Sequence, residues 1–125
     1  MAQFKSLAKG LNRTHLFDID TTGFEYTTLA KLLERDGEGH AYTIRGAYIN
    51  TQSRYYEKSP LLAIDDIYVN LPQHQLEDVE TMREDPAYVQ GINEGRLGFI
   101  IESYMIDGSI YYKAQFVDMK DGAMI

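Results

Sequence analysis

The alternation of apolar and polar residues is strongest between Gly98 and Val117, where two alternating runs meet at Asp107-Gly108. An Asp-Gly step between alternating runs is a strong hairpin signal, because a type I′ turn needs positive φ at both central residues. With a two-residue loop, facing residues have numbers that sum to 215. Phe99 then faces Phe116, Ile101 faces Ala114, Ser103 faces Tyr112 and Met105 faces Ile110, an apolar side expected to be core. The other side pairs Ile100 with Gln115, Glu102 with Lys113, Tyr104 with Tyr111 and Ile106 with Ser109, a half-wet surface. A charge pair and an aromatic pair that land opposite each other support the register, since cross-strand pairs are the unit of sheet stability.

Ahead of this hairpin the pattern predicts a short strand over 15–19, then a helix from a capping box at Thr22-Gly23-Phe24-Glu25 to about Arg35. Leu29, Leu32 and Leu33 would face inward, and Gly37 would stop the helix. Residues 41–50 alternate as a strand, with Gly46 marking a bulge, a bend or a close approach to the backbone. Residues 51–60 form a polar, basic and aromatic loop, and 61–70 return as a strand interrupted by Asp65-Asp66. Pro72 opens a helix over 72–84 with Leu76, Val79 and Met82 inward; Asp85-Pro86 restarts a second that ends at Gly95. Residues 1–13 read as a basic arm or short helix, 14–118 as one domain and 119–125 as a C-terminal tail. With the first helix set aside as an insertion, the order is β-β-β-α-β-β. That is the order of an oligonucleotide-binding (OB) five-stranded antiparallel barrel with an inserted helix after strand one and a helix pair between strands three and four. An α+β sheet without a closed barrel is the alternative.

The chain has 125 residues, enough for one domain with its own core. It has no cysteine, which excludes disulfide and thiolate chemistry. No apolar run suggests a signal peptide or a membrane span, so a cytoplasmic, non-membrane protein is expected. Ten tyrosines and no tryptophan suit either a pleated, half-buried sheet or a stacking surface. The net charge of −7 is unevenly spread. Lys5, Lys9 and Arg13 stand without an acid in residues 1–13, and Arg45, Arg54 and Lys58 face only Glu57 in residues 40–59. The rest is strongly acidic, which permits a basic face on an acidic body.

Phe17-Asp18-Ile19-Asp20-Thr21-Thr22-Gly23-Phe24 resembles the first motif of the DEDD 3′–5′ exonucleases, whose acidic pair holds two metal ions. Nothing later in the chain matches that family's other motifs, and two-metal chemistry needs further carboxylates and a base. The stretch is therefore read as a strand-to-helix turn, and no enzyme activity is expected. His15, His40 and His74 lack zinc-ligand spacing, the acidic clusters lack calcium-loop spacing, and no glycine-rich phosphate loop follows a strand. No metal or cofactor is expected.

A basic and aromatic set remains: Arg45, Tyr48, Arg54, Tyr55, Tyr56 and Lys58 on one strand and its loop, and Tyr104, Tyr111 and Lys113 on the wet side of the hairpin. Single-stranded nucleic acid is held by cations along its backbone and by aromatic faces under its bases. Phosphate contacts fall to Arg45, Arg54, Lys58 and Lys113, stacking to Tyr48, Tyr55, Tyr56 and Tyr111. Residues 41–118, above all IYVNLPQHQLEDV, INEGRLGF and YYKAQFVD, resemble OB-type single-stranded-DNA-binding proteins from replication modules of phages of Gram-positive hosts. The resemblance implies a non-catalytic binder of single-stranded DNA, a homo-oligomer, acting in the host cytoplasm beside replication or recombination proteins. The competing reading is an acidic phage protein that mimics nucleic acid or docks on a host enzyme through the acidic stretch 77–85.

Overall fold

A computed structural model describes residues 16–54 and 56–125; the arm at 1–13 lies outside them. The expected strand at 15–19 is not formed among the described residues. The chain bends over 16–18 with Phe17 buried, and the Ile19 N–H donates to the Phe17 carbonyl at 2.9 Å. Phe24 N–H donates to Thr21 O at 3.1 Å across Gly23, whose φ of 80° only glycine adopts freely. The turn leads into strand β1 (Glu25–Thr28), and helix α1 (Leu29–Asp36) begins only after it. The capping box at Thr22 is thus not used. Thr28 does the same work six residues on, its Oγ1 accepting from Lys31 N at 3.2 Å. The reason is tertiary. β1 pairs in parallel with Ile67–Asn70, and Phe24 and Tyr26 both pack on Tyr68, with ring centroids 5.5 and 5.2 Å away. That pairing overrides a weak local helix preference. α1 buries Leu29 and Leu32 and ends at Gly37, at φ 84°, whose N–H donates to Leu33 O.

The strand expected at 41–50 is divided. β2 (Tyr42–Thr43) and β3 (Gly46–Asn50) are followed by β4 (Ser59–Ile64) and β5 (Ile67–Asn70), which meet at a turn on Asp65-Asp66. A 3₁₀ turn (Gln73–Gln75) introduces α2 (Leu76–Glu84), with Val79 and Met82 buried. Asp85 then caps α3 (Pro86–Asn93) by accepting from Ala87 N at 2.9 Å. β6 (Leu97–Ile106), β7 (Ser109–Lys120) and β8 (Ala123–Met124) complete the chain. The residues expected as a tail thus finish β7, turn at Asp121-Gly122 and return as β8.

The described residues form a mixed α+β structure of two four-stranded sheets, ordered β1-β5-β4-β3 and β2-β6-β7-β8, with three α-helices. The segment 42–50 belongs to both sheets. Ile44 N–H donates to Leu97 O at 2.9 Å and the next amide, Arg45 N–H, donates to Ala63 O at 2.7 Å. Two successive amides serving different sheets make a corner, and the inward positions shift from Tyr42 and Ile44 to Ala47 across it. Gly46 sits beyond the corner beneath the Tyr48 ring, where a Cβ would approach ring carbon within 2.6 Å. The core beneath both sheets joins Phe17, Leu32, Ile44, Leu62, Val79 and Phe99. Each such side chain contributes about 1.5–3 kcal/mol by leaving water.

β6 and β7 pair in the register expected from Asp107-Gly108, from Phe99 opposite Phe116 to Ile106 opposite Ser109. Asp107 and Gly108 both have positive φ, 51° and 82°. The apolar side is core only at its root. Phe99, Ile101 and Ala114 are buried, but Met105 is 67% and Ile110 58% exposed. Ten- and twelve-residue strands simply outrun the core below them. No described helix is long and apolar enough to cross a membrane.

Candidate nucleic-acid interface

The wet side of the hairpin carries the best-defined part of the expected set. Tyr104 and Tyr111 stand opposite each other and their rings stack, with centroids 5.8 Å apart and planes 27° from parallel. Tyr111 is 46% exposed. The Tyr104 hydroxyl is hydrogen-bonded to His74 Nε2 at 3.2 Å, a link between the ring and the 3₁₀ turn. Lys113 lies two residues on from Tyr111 along β7, with Nζ 3.9 Å from Glu102. It borders a shallow cavity of about 290 Å³ with His74, Asp78 and Gln115. Two stacked phenols beside an ammonium and an imidazole offer a π-face for a base and donors for a phosphate.

The loop between β3 and β4 carries Arg54, Tyr56 and Lys58, all exposed. Lys58 Nζ lies 3.9 Å from Glu80 on α2, the helix whose leading turn holds His74. Tyr55 lies outside the described residues. Arg45 is exposed at the corner, and its Nη1 reaches towards Gly95 after α3 rather than towards the loop.

Tyr48 is taken up by packing. Phe17 and Tyr68 meet its ring edge-on at 5.8 and 5.6 Å, and the Arg83 guanidinium sits 5.8 Å from its centroid. Burial pushes its hydroxyl pKa up. Arg83 is held there by donating to the Ala47 carbonyl at 2.7 Å. Tyr48 therefore offers no free face to a base.

His74 and Gln75 are additions that sequence reasoning missed. Gln75 is buried; its Nε2 donates to Ala114 O and its Oε1 accepts from Ala114 N, both at 2.9 Å. Nothing local signals either role, because the partners lie thirty or more residues on.

The exonuclease-like stretch is a turn here. Asp20 Oδ1 accepts from Thr22 N at 3.0 Å, and Asp18 N–H donates to Asn93 Oδ1 at 2.8 Å. Among the described residues no three His, Cys, Asp or Glu are grouped to hold a metal ion. A larger cavity of about 610 Å³ lies between this turn and the helix pair, lined by Leu16 and Val89 and by the acids Asp18, Glu84 and Glu94 among others. No protein-family model matches the chain, and neither a curated protein nor a solved structure matches it.

Proposed function

We propose that the chain is a non-catalytic single-stranded DNA-binding protein on an OB-type barrel, consistent with its resemblance to binders from phage replication modules. The observation that carries this reading is the stacked Tyr104–Tyr111 pair beside Lys113 on an open sheet face. The pairing order supports the fold. Segment 42–50 pairs with both β4 and β6, β4 with β5, and β6 with β7. Three strands, a helix pair and two strands in that order follow the path of an OB barrel left open between β5 and β7. In this assignment the first strand is 42–50, and the strand read from the sequence at 61–70, which begins at Ser59 and breaks at Asp65-Asp66, supplies strands two and three. The loops that such barrels use for oligonucleotides, between strands one and two and between strands four and five, are then 51–58 and the hairpin tip. Those are the places of Arg54, Tyr56 and Lys58, and of Tyr104 and Tyr111.

The test is fluorescence anisotropy of labelled oligo(dT) at low salt, followed by a salt titration. Binding should weaken steeply as salt rises, because bound cations release counterions from phosphates. Lys113→Glu should flatten that dependence, and Tyr111→Ala should weaken binding by about 1–3 kcal/mol, the value of one stacked base. Absence of binding at low salt would overturn the proposal. The second reading, docking of an acidic surface on a basic partner, is favoured by Glu77, Asp78 and Glu84, all exposed on α2. Reversal of Glu77 and Asp78 to lysine separates the two, since it should leave or strengthen DNA binding under the first and abolish partner capture under the second.

A further inference from the structure

A sheet edge with unpaired amides attracts another strand, and proteins usually defend such edges with proline, bulges, charges or a covering element. β7 is defended along only part of its outer edge. Ala114 points both its N–H and its C=O away from β6, and the Gln75 side chain binds both. Past it, Ile125 N–H donates to Asp118 O at 3.0 Å. Alternation along the strand turns the backbone groups of Ile110 and Tyr112 the same way as those of Ala114. Among the described residues no strand lies beside Ser109–Lys113 on that side. This stretch has no proline, no bulge and one charge, Lys113, and its exposed Ile110 stands opposite the exposed Met105 of β6.

We propose that this open edge pairs with the same edge of a second copy, antiparallel, about a two-fold axis through Tyr111. The edge is complementary to itself in this register. Ile110 and Tyr112, two residues apart, each present one donor and one acceptor, so Ile110 of one copy meets Tyr112 of the other and four backbone hydrogen bonds form. Exposed Ile110 is covered by the half-buried Tyr112 ring of the other copy, an aromatic–β-branched pair of the kind that stabilises sheets. Lys113 faces Ser109. Moving the axis to Tyr112 or Lys113 would bring the partner onto Ala114 and require displacing Gln75, and at Lys113 would also set like charges against each other, while moving it to Ile110 or Ser109 would place the turn itself in the ladder. Charge and hydrogen-bond complementarity thus select a second copy in one register.

A consequence follows for the proposed DNA site, and it rests on that reading. Tyr104 and Tyr111 of both copies fall in one row across four adjacent strands spaced about 4.8 Å apart. The dimer doubles the stacking platform.

The chain has no cysteine, so single cysteines report the register directly. Tyr111→Cys places two thiols at the axis in a non-hydrogen-bonded pair, with Cα atoms about 4.5 Å apart, within disulfide reach. Under mild oxidation it should convert almost fully to a disulfide dimer, while Ser109→Cys, also exposed but opposite Lys113, should not. Sedimentation of the wild-type chain without DNA should show the mass doubling with concentration. Tyr112→Pro removes an outward N–H without touching the β6 ladder and should remain monomeric, as should Ile110→Lys should the proline variant not fold. A wild-type chain monomeric at every concentration, or equal cross-linking at 109 and 111, would overturn the proposal. These assays contain no DNA: a dimer that ignores oligo(dT) would sink only the function, and a monomer that binds it only the dimer.

Discussion

Tyr42 shows how much one side chain settles. Its ring is buried against Phe99, its cross-strand partner, with centroids 5.2 Å apart, and its hydroxyl donates to Asp36 Oδ2 at 2.7 Å. Asp36 is also gripped by the Arg35 guanidinium. Burial, and then the bond to Asp36, hold the Tyr42 pKa far above that of a free phenol, while Arg35 and Tyr42 hold Asp36 below the usual carboxylate range. A raised tyrosine pKa means that the folded state keeps the proton when the unfolded chain releases it. This contribution is whole below about pH 10 and is lost as pH rises beyond it. The Asp36 contribution has the opposite sense: present above the ordinary carboxylate pKa and lost in acid. Tyr42→Phe should cost about 0.5–1.5 kcal/mol at neutral pH through the lost hydrogen bond, and should lose less stability than wild type between pH 9 and 11. Urea unfolding at several pH values tests this, and parallel curves for the two proteins would contradict it.

At the scale of elements, the legible features were those written locally. Asp107-Gly108 fixes the hairpin register because turn and alternation lie within one stretch, and from that register the Tyr104–Tyr111 half of the candidate site follows. Asp85-Pro86 and Gly37 announce helix ends for the same reason. Thr22 reads as the cap because Glu25 completes a capping box, and the move of the cap to Thr28 depends on β5, some forty residues away. The separation of Tyr48 and Arg45 from the loop cations was equally hidden, because it arises at a corner that only the second sheet creates. Gln75 is the element-scale test of such hidden partners. Gln75→Leu keeps the volume but strands the N–H and C=O of Ala114, at a cost of about 1–3 kcal/mol for each group left unpaired. Denaturant unfolding measures it, and an unchanged midpoint would mean that water replaces the amide without loss.

For the whole molecule, the shared segment 42–50 bears on how it opens. Solvent exchange at a backbone amide requires that its hydrogen bond break, and the free energy of the opening identifies the unit that moves. Ile44 and Arg45 report on different sheets from adjacent positions on one chain. Both should exchange only through global unfolding, with the same free energy and the same denaturant slope, although Arg45 has an exposed side chain. Unequal values would mean that the sheets open separately. In a single copy the hairpin tip beyond Ser103 and Tyr112 has no core beneath it and should exchange through small local openings instead. One polypeptide thus holds a rigid body and a yielding rim, and the rim is where the stacked tyrosines stand: their spacing can adjust to whatever lies on them while the cooperative unit behind stays closed.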